Sequence, residues 1–191
     1  MTHPKILLRQ ASATIFAALL PCLGGHAQDR CQAFNLETLP KREVRAVWLT
    51  TLSNLDWPKG YATTQEGIER QKRQLTEILD RYAEANINTV LFQARVRATT
   101  TYPSALEPWD RCLTGQEGRA PGYDPLRFAI EECHKRGMEL HAWLATIPCG
   151  PWTSLGCRRL RAKGLRLRKL DGAGYLDPSD ERVAPYLASV C

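Results

Sequence analysis

Two runs decide the fold: Ile87-Asn88-Thr89-Val90-Leu91-Phe92-Gln93-Ala94-Arg95 and, one helix further on, Met138-Glu139-Leu140-His141-Ala142-Trp143. Both read as β-strand patterns that end in clusters of polar and aromatic residues. Between them, Asp124-Pro125 places a capping carboxylate before a proline at the first helical position. Leu126, Ala129, Ile130 and Cys133 then recur at helical spacing. Lys135-Arg136-Gly137 ends the helix with basic side chains at its negative end and a glycine cap. The unit reads βαβ, and the expected fold is α/β, of the parallel (β/α) barrel type.

Outward from this unit the same alternation continues. Val44 to Thr51 reads as an earlier strand, followed by a turn-rich loop from Ser53 to Gly60. Thr63 with Glu66 has the spacing of a capping box. Ile68, Gln71, Leu75, Ile78, Leu79 and Tyr82 then trace one helical face, apolar except at Gln71. Asn86 supplies a stop, because Asn tolerates the left-handed conformation. The segment from Val96 to Tyr123 is too long for a simple connection, and such loops in compact domains are commonly functional. The third strand is expected over Met138 to Thr146. Beyond it, Arg158 to Lys163 opens a basic patch that continues through Arg166, Arg168 and Lys169, read as a solvated helix or loop face or as an anion contact. From Ser179 onward, Val183, Leu187 and Val190 mark an amphipathic segment.

The amino terminus reads as an export signal over residues 1–27. Lys5 and Arg9 precede an apolar run from Ala11 to Leu20, and Gly25-His26-Ala27 offers a small-residue cleavage site before Gln28. The run is shorter than the roughly 18 to 20 residues of a transmembrane span, so no span is expected. Lipoprotein processing at Cys22 is the weaker alternative, since Pro21 is a poor neighbour for that cleavage. Residues 28–41 form a polar lead-in, and 42–191 the barrel-type domain. A (β/α)8 barrel typically needs about 250 residues. The 191-residue chain is therefore expected to hold about the first three βα units, as a truncated barrel.

The formal charge of +6 falls by two if Lys5 and Arg9 leave with the signal. That is too mild to argue for nucleic acid as a partner. Of the seven cysteines, Cys31, Cys112, Cys133, Cys149, Cys157 and Cys191 lie beyond the signal, an even number that export would permit to pair. No two have CxxC spacing, and only His134 and His141 accompany them, so no metal site is expected. Gly115 to Gly118 lacks the spacing of a phosphate loop, and no cofactor is expected.

Barrel enzymes build their sites from loops at the carboxyl ends of the strands. That rule selects Trp48, Ser53, Asn54, Asp56 and Trp57 from the first strand and its loop. The second contributes Gln93, Arg95, Arg97, Tyr102, Glu107, Trp109 and Asp110, and the third His141 and Trp143. Aromatic faces, carboxylates and hydrogen-bonding side chains at strand exits suit a carbohydrate ligand. Trp57 and Trp109 are the sugar-stacking candidates, or else pack the loops onto the rim. Glycoside hydrolysis uses two carboxyl groups flanking the bond. Glu107 is the catalytic candidate, with Asp110 near it on the same loop; the alternative for both is to bind hydroxyls or to pair with an arginine. Asp56 is a ligand contact or a turn former. Arg95 has the geometry to grip a carboxylate, whether of a sugar or of the barrel itself. His141 and Trp143 share a strand face and enter a site together or not at all.

Arg42-Glu43-Val44-Arg45-Ala46-Val47-Trp48-Leu49-Thr50-Thr51, Tyr102-Pro103-Ser104 with Glu107-Pro108-Trp109, Leu113-Thr114-Gly115, Pro121-Gly122-Tyr123-Asp124-Pro125-Leu126, and His134-Lys135-Arg136-Gly137 with His141-Ala142-Trp143 carry a further signal. In this order and spacing they resemble the glycosyl hydrolase-like 10 family, over roughly Arg42 to Tyr186. The resemblance implies a TIM-barrel glycosidase of the bacterial envelope, acting on a polysaccharide, with peptidoglycan glycan strands as the substrate of some members. It also implies that a principal catalytic carboxylate follows a fourth strand, beyond Gly174-Tyr175-Leu176-Asp177-Pro178. Val96 to Thr101 departs from the family, many of whose members carry a Pro and a Gly-Asp pair there. A non-catalytic carbohydrate-binding remnant and a non-functional truncated product are the rival readings.

Overall fold

A computed structural model describes residues 43–190. The signal segment, Cys22, the lead-in with Cys31, and Cys191 lie outside the described residues. Three parallel strands, β1 (Ala46–Leu49), β2 (Thr89–Arg95) and β3 (Glu139–Leu144), form one sheet in the order β1-β2-β3. Two long helices, α1 (Gln65–Glu84) and α3 (Pro125–Lys135), make the crossovers, and a single turn, α2 (Arg111–Thr114), lies within the long loop. The sheet is open, and no closed barrel forms among the described residues.

One face of the sheet is a dry core. Leu49, Val90, Phe92 and Ala94 pack with Leu75 and Leu79 of α1 and Ala129 and Cys133 of α3, all at most 1% exposed. The opposite face carries Trp48, Leu91, His141 and Trp143, brought side by side by the registers Trp48↔Leu91 and Leu91↔His141. Period-two alternation thus separates the strands into a helix-covered face and an uncovered one.

The helix signals fall close to their expected places, with one shift. Thr64, not Thr63, caps α1, and its side chain accepts from the Gly67 amide at 3.2 Å. Gln71, the polar exception on the apolar face, is fully buried and fully used. Its amide group donates to the carbonyls of Gly60 and Leu113, each at 2.8 Å, and its oxygen accepts from Tyr123 Oη at 2.9 Å. A buried amide is tolerated because each polar atom has a partner. Asn86 takes the left-handed conformation at φ 59°, and Asp124 caps α3 through the Arg127 amide at 3.1 Å.

A second sheet was not foreseen. Strands β4 (Pro148–Pro151), β5 (Leu167–Leu170) and β6 (Ala173–Leu176) pair antiparallel in the order β4-β6-β5, with α4 (Leu155–Ala162) preceding β5 and α5 (Val183–Val190) following β6. The basic patch, expected on a solvated helix or loop face or as an anion contact, falls on helix α4, the turn after it and hairpin strand β5. Arg166 and Arg168 both pair with Asp177 at 3.0 Å, and Arg161 stacks on Trp152 at 4.1 Å. The four described cysteines, Cys112, Cys133, Cys149 and Cys157, are free and buried.

Candidate functional site

The carboxyl ends of β1 and β2 open into a cavity of about 590 Å³. Its walls come from Leu52-Ser53-Asn54 after β1, Val96, Arg97 and Thr99 after β2, the Asp110-Arg111-Cys112 turn, and the segment Cys149 to Ser154, with Tyr61 and Glu117 completing the ring. This is where parallel α/β folds place ligands, because the strand ends deliver loops from several units to one edge.

Gln93 shapes the first wall. Its side-chain oxygen accepts from Thr50 Oγ1 at 2.6 Å and from the amides of Thr51 and Leu52 at 3.0 Å each. The chain then turns through a single 3-10 turn, Leu52–Asn54, with Ser53 and Asn54 at positive φ. Asn54 Nδ2 donates to the carbonyls of Pro58 at 2.7 Å and Cys112 at 2.8 Å, tying this turn to α2. Gln93 therefore positions the wall from within, 2% exposed, rather than reaching a ligand. Asp56 braces the same turn, its carboxylate accepting from the Thr50 amide at 2.8 Å while the residue stays exposed.

The second wall returns on itself after β2. The Val96 amide donates to Thr99 O at 3.0 Å, and the Thr101 amide to Ala94 O at 2.8 Å. Asp110 caps α2, accepting from the Cys112 amide at 2.7 Å and from Thr99 Oγ1 at 2.5 Å. Glu117 spans to the last wall, where its two oxygens accept from the Leu155 amide at 2.9 Å and the Gly156 amide at 2.8 Å.

Arg95 and Glu107 lie outside this cavity. Arg95 Nε and Nη2 donate to the two oxygens of Glu107 at 2.8 and 2.7 Å, with both side chains 1% exposed. Nη1 donates to the carbonyls of Ala145 and, at 3.0 Å, Thr146. Tyr186 Oη of α5 donates to Glu107 at 3.0 Å, and burial together with that carboxylate pushes the phenol well above its ordinary range. Glu107, expected as the acid at the scissile bond, here has both oxygens held by Arg95 and Tyr186, which is the arginine pairing given as its alternative. Arg95 pairs with the fold's own carboxylate rather than a sugar's.

The aromatic expectations divide. Trp57 is corrected outright: it is 0% exposed, 5.9 Å from the Phe92 ring, and donates its indole N–H to Gln71 O at 2.8 Å. No ring face remains for a sugar. Trp109 and Tyr102 are half-buried against the main core, and Tyr102 Oη donates to Val190 O at 2.7 Å. Trp48, His141 and Trp143 sit on the open sheet face rather than at the cavity. Trp48 is 57% exposed and meets Trp143 edge to face at 4.7 Å, while His141 Nε2 lies 3.1 Å from Glu139 Oε2.

Of the residues expected at the site, Asp110, Ser53, Asn54 and Arg97 line the cavity. Tyr61, Arg111, Glu117 and the Cys149–Ser154 segment were missed. Tyr61 follows a glycine in a turn, which hinted at a presented aromatic; the others are brought in by long-range packing that local pattern does not encode. Among the described residues no cluster of three or more His, Cys, Asp or Glu side chains is arranged to hold a metal ion. No described helix is long and apolar enough to cross a membrane.

The comparisons with known proteins agree with this architecture. Glycosyl hydrolase YngK of Bacillus subtilis (strain 168) is 44% identical over 102 residues, 53% of this chain and 19% of that protein. Glycosyl hydrolase DigH of Escherichia coli (strain K12) is 40% identical over 104 residues, 52% of this chain and 24% of that protein. The chain thus covers under a quarter of each of these relatives. The family model described as glycosyl hydrolase-like 10 matches residues 43–151, a span that contains the whole parallel sheet, both crossover helices and three walls of the cavity. With more than half of its length inside that match, this chain belongs to the glycosyl hydrolase-like 10 family.

Proposed function

We propose that this protein is an exported glycoside hydrolase-like protein acting on a polysaccharide, with peptidoglycan glycan strands as substrate. Its parallel sheet would form the opening βα units of a (β/α)8 barrel. The observation that carries the reading is the cavity at the carboxyl ends of β1 and β2, whose polar lining and exposed Tyr61 ring suit a sugar. In this reading residues 43–190 supply a substrate-binding wall. Bond cleavage uses one carboxyl as general acid and another as base or nucleophile.

The carboxylates of Glu107, Asp110 and Glu117 are all engaged by internal donors, which favours binding without chemistry as a second reading. One experiment separates the two. The full chain is incubated with peptide-free glycan strands, and bound glycan and released reducing ends are both measured. Binding with release supports the hydrolase, binding without release supports the carbohydrate-binding module, and neither sinks the saccharide reading altogether.

A further inference from the structure

Resting on that saccharide reading, we propose that Arg97 and Arg111 form an anion-recognition subsite that selects sugars bearing a carboxylate. The charged side chains on the cavity wall are Arg97, Asp110, Arg111 and Glu117. Its two carboxylates are already committed. Asp110 is held by Thr99 and the Cys112 amide, and Glu117 by the Leu155 and Gly156 amides. Neither lies in an ion pair with an arginine. Among the described residues, the guanidinium groups of Arg97 and Arg111 have no ion-pair or hydrogen-bonding partner, and both side chains are exposed. The cavity therefore presents two unspent cations and no unspent anion.

The position of Arg97 is set by backbone it lies against. Gly150 has φ +77°, and a Cβ placed there would come within 3.3 Å of Arg97 Cβ and 3.5 Å of Cδ. The arginine stem runs along the bare main chain of Gly150, and the residue lines the cavity. Also lining the cavity, the Tyr61 ring lies over Gly115, where a Cβ would approach it at 3.1 Å. Tyr61 remains 46% exposed. An aromatic face and two forked donors lining one cavity fit a sugar ring carrying a carboxylate, since guanidinium meets carboxylate through paired hydrogen bonds. Neutral glycans would stack on Tyr61 but leave both cations unmatched. In the other basic stretch Arg166 and Arg168 are paired with Asp177 and Arg161 with Trp152, and none of its basic residues lines the cavity.

The test is calorimetric titration of the full chain with three probes at fixed ionic strength. These are a tetrasaccharide of alternating glucuronate and N-acetylglucosamine, the neutral N-acetylglucosamine tetramer, and inorganic phosphate. The acidic tetrasaccharide is expected to bind at least about tenfold more tightly than the neutral one. Arg97→Gln and Arg111→Gln should each remove most of that preference while leaving the urea midpoint unchanged. Arg97→Lys, which keeps charge but loses the fork, should fall between. Gly150→Ala should weaken acidic binding by displacing Arg97 without removing it, and Arg158→Gln on α4 should change nothing. Equal binding of acidic and neutral probes, or a preference untouched in both glutamine variants, overturns the subsite and leaves the saccharide reading standing. Binding of neither saccharide overturns both. Phosphate binding as tight as the acidic probe, with no neutral binding, marks a simple anion site and overturns the sugar assignment.

Discussion

Arg95 and Glu107 form a bidentate ion pair from which solvent is excluded, with Nε to Oε2 at 2.8 Å and Nη2 to Oε1 at 2.7 Å. It joins the end of β2 to the long loop, and Tyr186 brings α5 to the same carboxylate. Removing one partner of such a pair leaves an uncompensated buried charge, at a cost of about 3–5 kcal/mol. Glu107→Gln should therefore lower stability by about that amount in urea titration. The double variant Arg95→Met/Glu107→Leu should lose less than the sum of the two single changes, because no charge is stranded. A Glu107→Gln protein with unchanged stability but abolished glycan cleavage would restore Glu107 to a catalytic role.

Trp57 and Tyr61 lie four positions apart and have opposite roles. Trp57 fills the core, so Trp57→Ala should cost about 3–5 kcal/mol of stability. Tyr61 is 46% exposed at the cavity rim. Tyr61→Ala should move stability by no more than about 0.5 kcal/mol while weakening saccharide binding. Urea titration and calorimetry on the same two variants read both effects.

Trp57 also shows where sequence reading reaches its limit. An Asn-Leu-Asp-Trp-Pro turn marks a loop but does not say whether its ring points to solvent or into Phe92. The parallel strands and both crossover helices were legible, because their periodicity, caps and glycine stops are local signals. The β5–β6 hairpin was legible too, and was passed over. Asp171-Gly172, at φ 48° and 77°, is a two-residue turn between Leu167-Arg168-Lys169-Leu170 and Ala173-Gly174-Tyr175-Leu176, a strong hairpin signature obscured by the count of basic residues. The cavity itself was only partly legible. Arg111 reaches it because α2 is tied to the turn after β1 through Asn54 and the Cys112 carbonyl, and Glu117 because its carboxylate holds the first amides of α4, both long-range contacts.

Gly67 sets helix propensity against packing. It lies in the first turn of α1, where alanine is ordinarily favoured over glycine by about 1 kcal/mol. A Cβ at this position would sit 2.5 Å from the Tyr61 carbonyl oxygen, an approach that backbone must move to relieve. Gly67→Ala is expected to destabilise despite the propensity gain and, by shifting Tyr61, to weaken saccharide binding. A higher urea midpoint with unchanged binding would refute the close approach.

The described cysteines predict a reactivity pattern. Burial pushes the Cys149 thiol up to about 12 and the Cys133 thiol up to about 11, and Cys112 is raised well above its ordinary value. The thiolate is the reactive form, so at pH 8 these groups should resist iodoacetamide in the folded protein. All four described thiols should alkylate once urea unfolds the chain, with mass spectrometry locating the adducts. Native modification at Cys149 or Cys133 would show that these sites open to solvent.

Acid should act first on the antiparallel half. Hydrogen bonds from Arg182 and the Arg166 amide hold Asp180 well below the usual carboxylate range, and Ser179 with Arg166 and Arg168 lowers Asp177. Because the folded-state values are depressed, both groups contribute stability that is fully present above the unfolded Asp value of about 3.9. That contribution is lost as pH falls through the folded values, when the carboxylates protonate and release their arginines. The urea midpoint should therefore drop between about pH 5 and pH 2, and Asp180→Asn should flatten the drop while lowering stability at pH 7. The β5–β6 hairpin amides should exchange hydrogen earlier than those of β2 as pH is lowered. An Asp180→Asn profile parallel to that of the unmodified protein would show that this carboxylate does not govern acid unfolding.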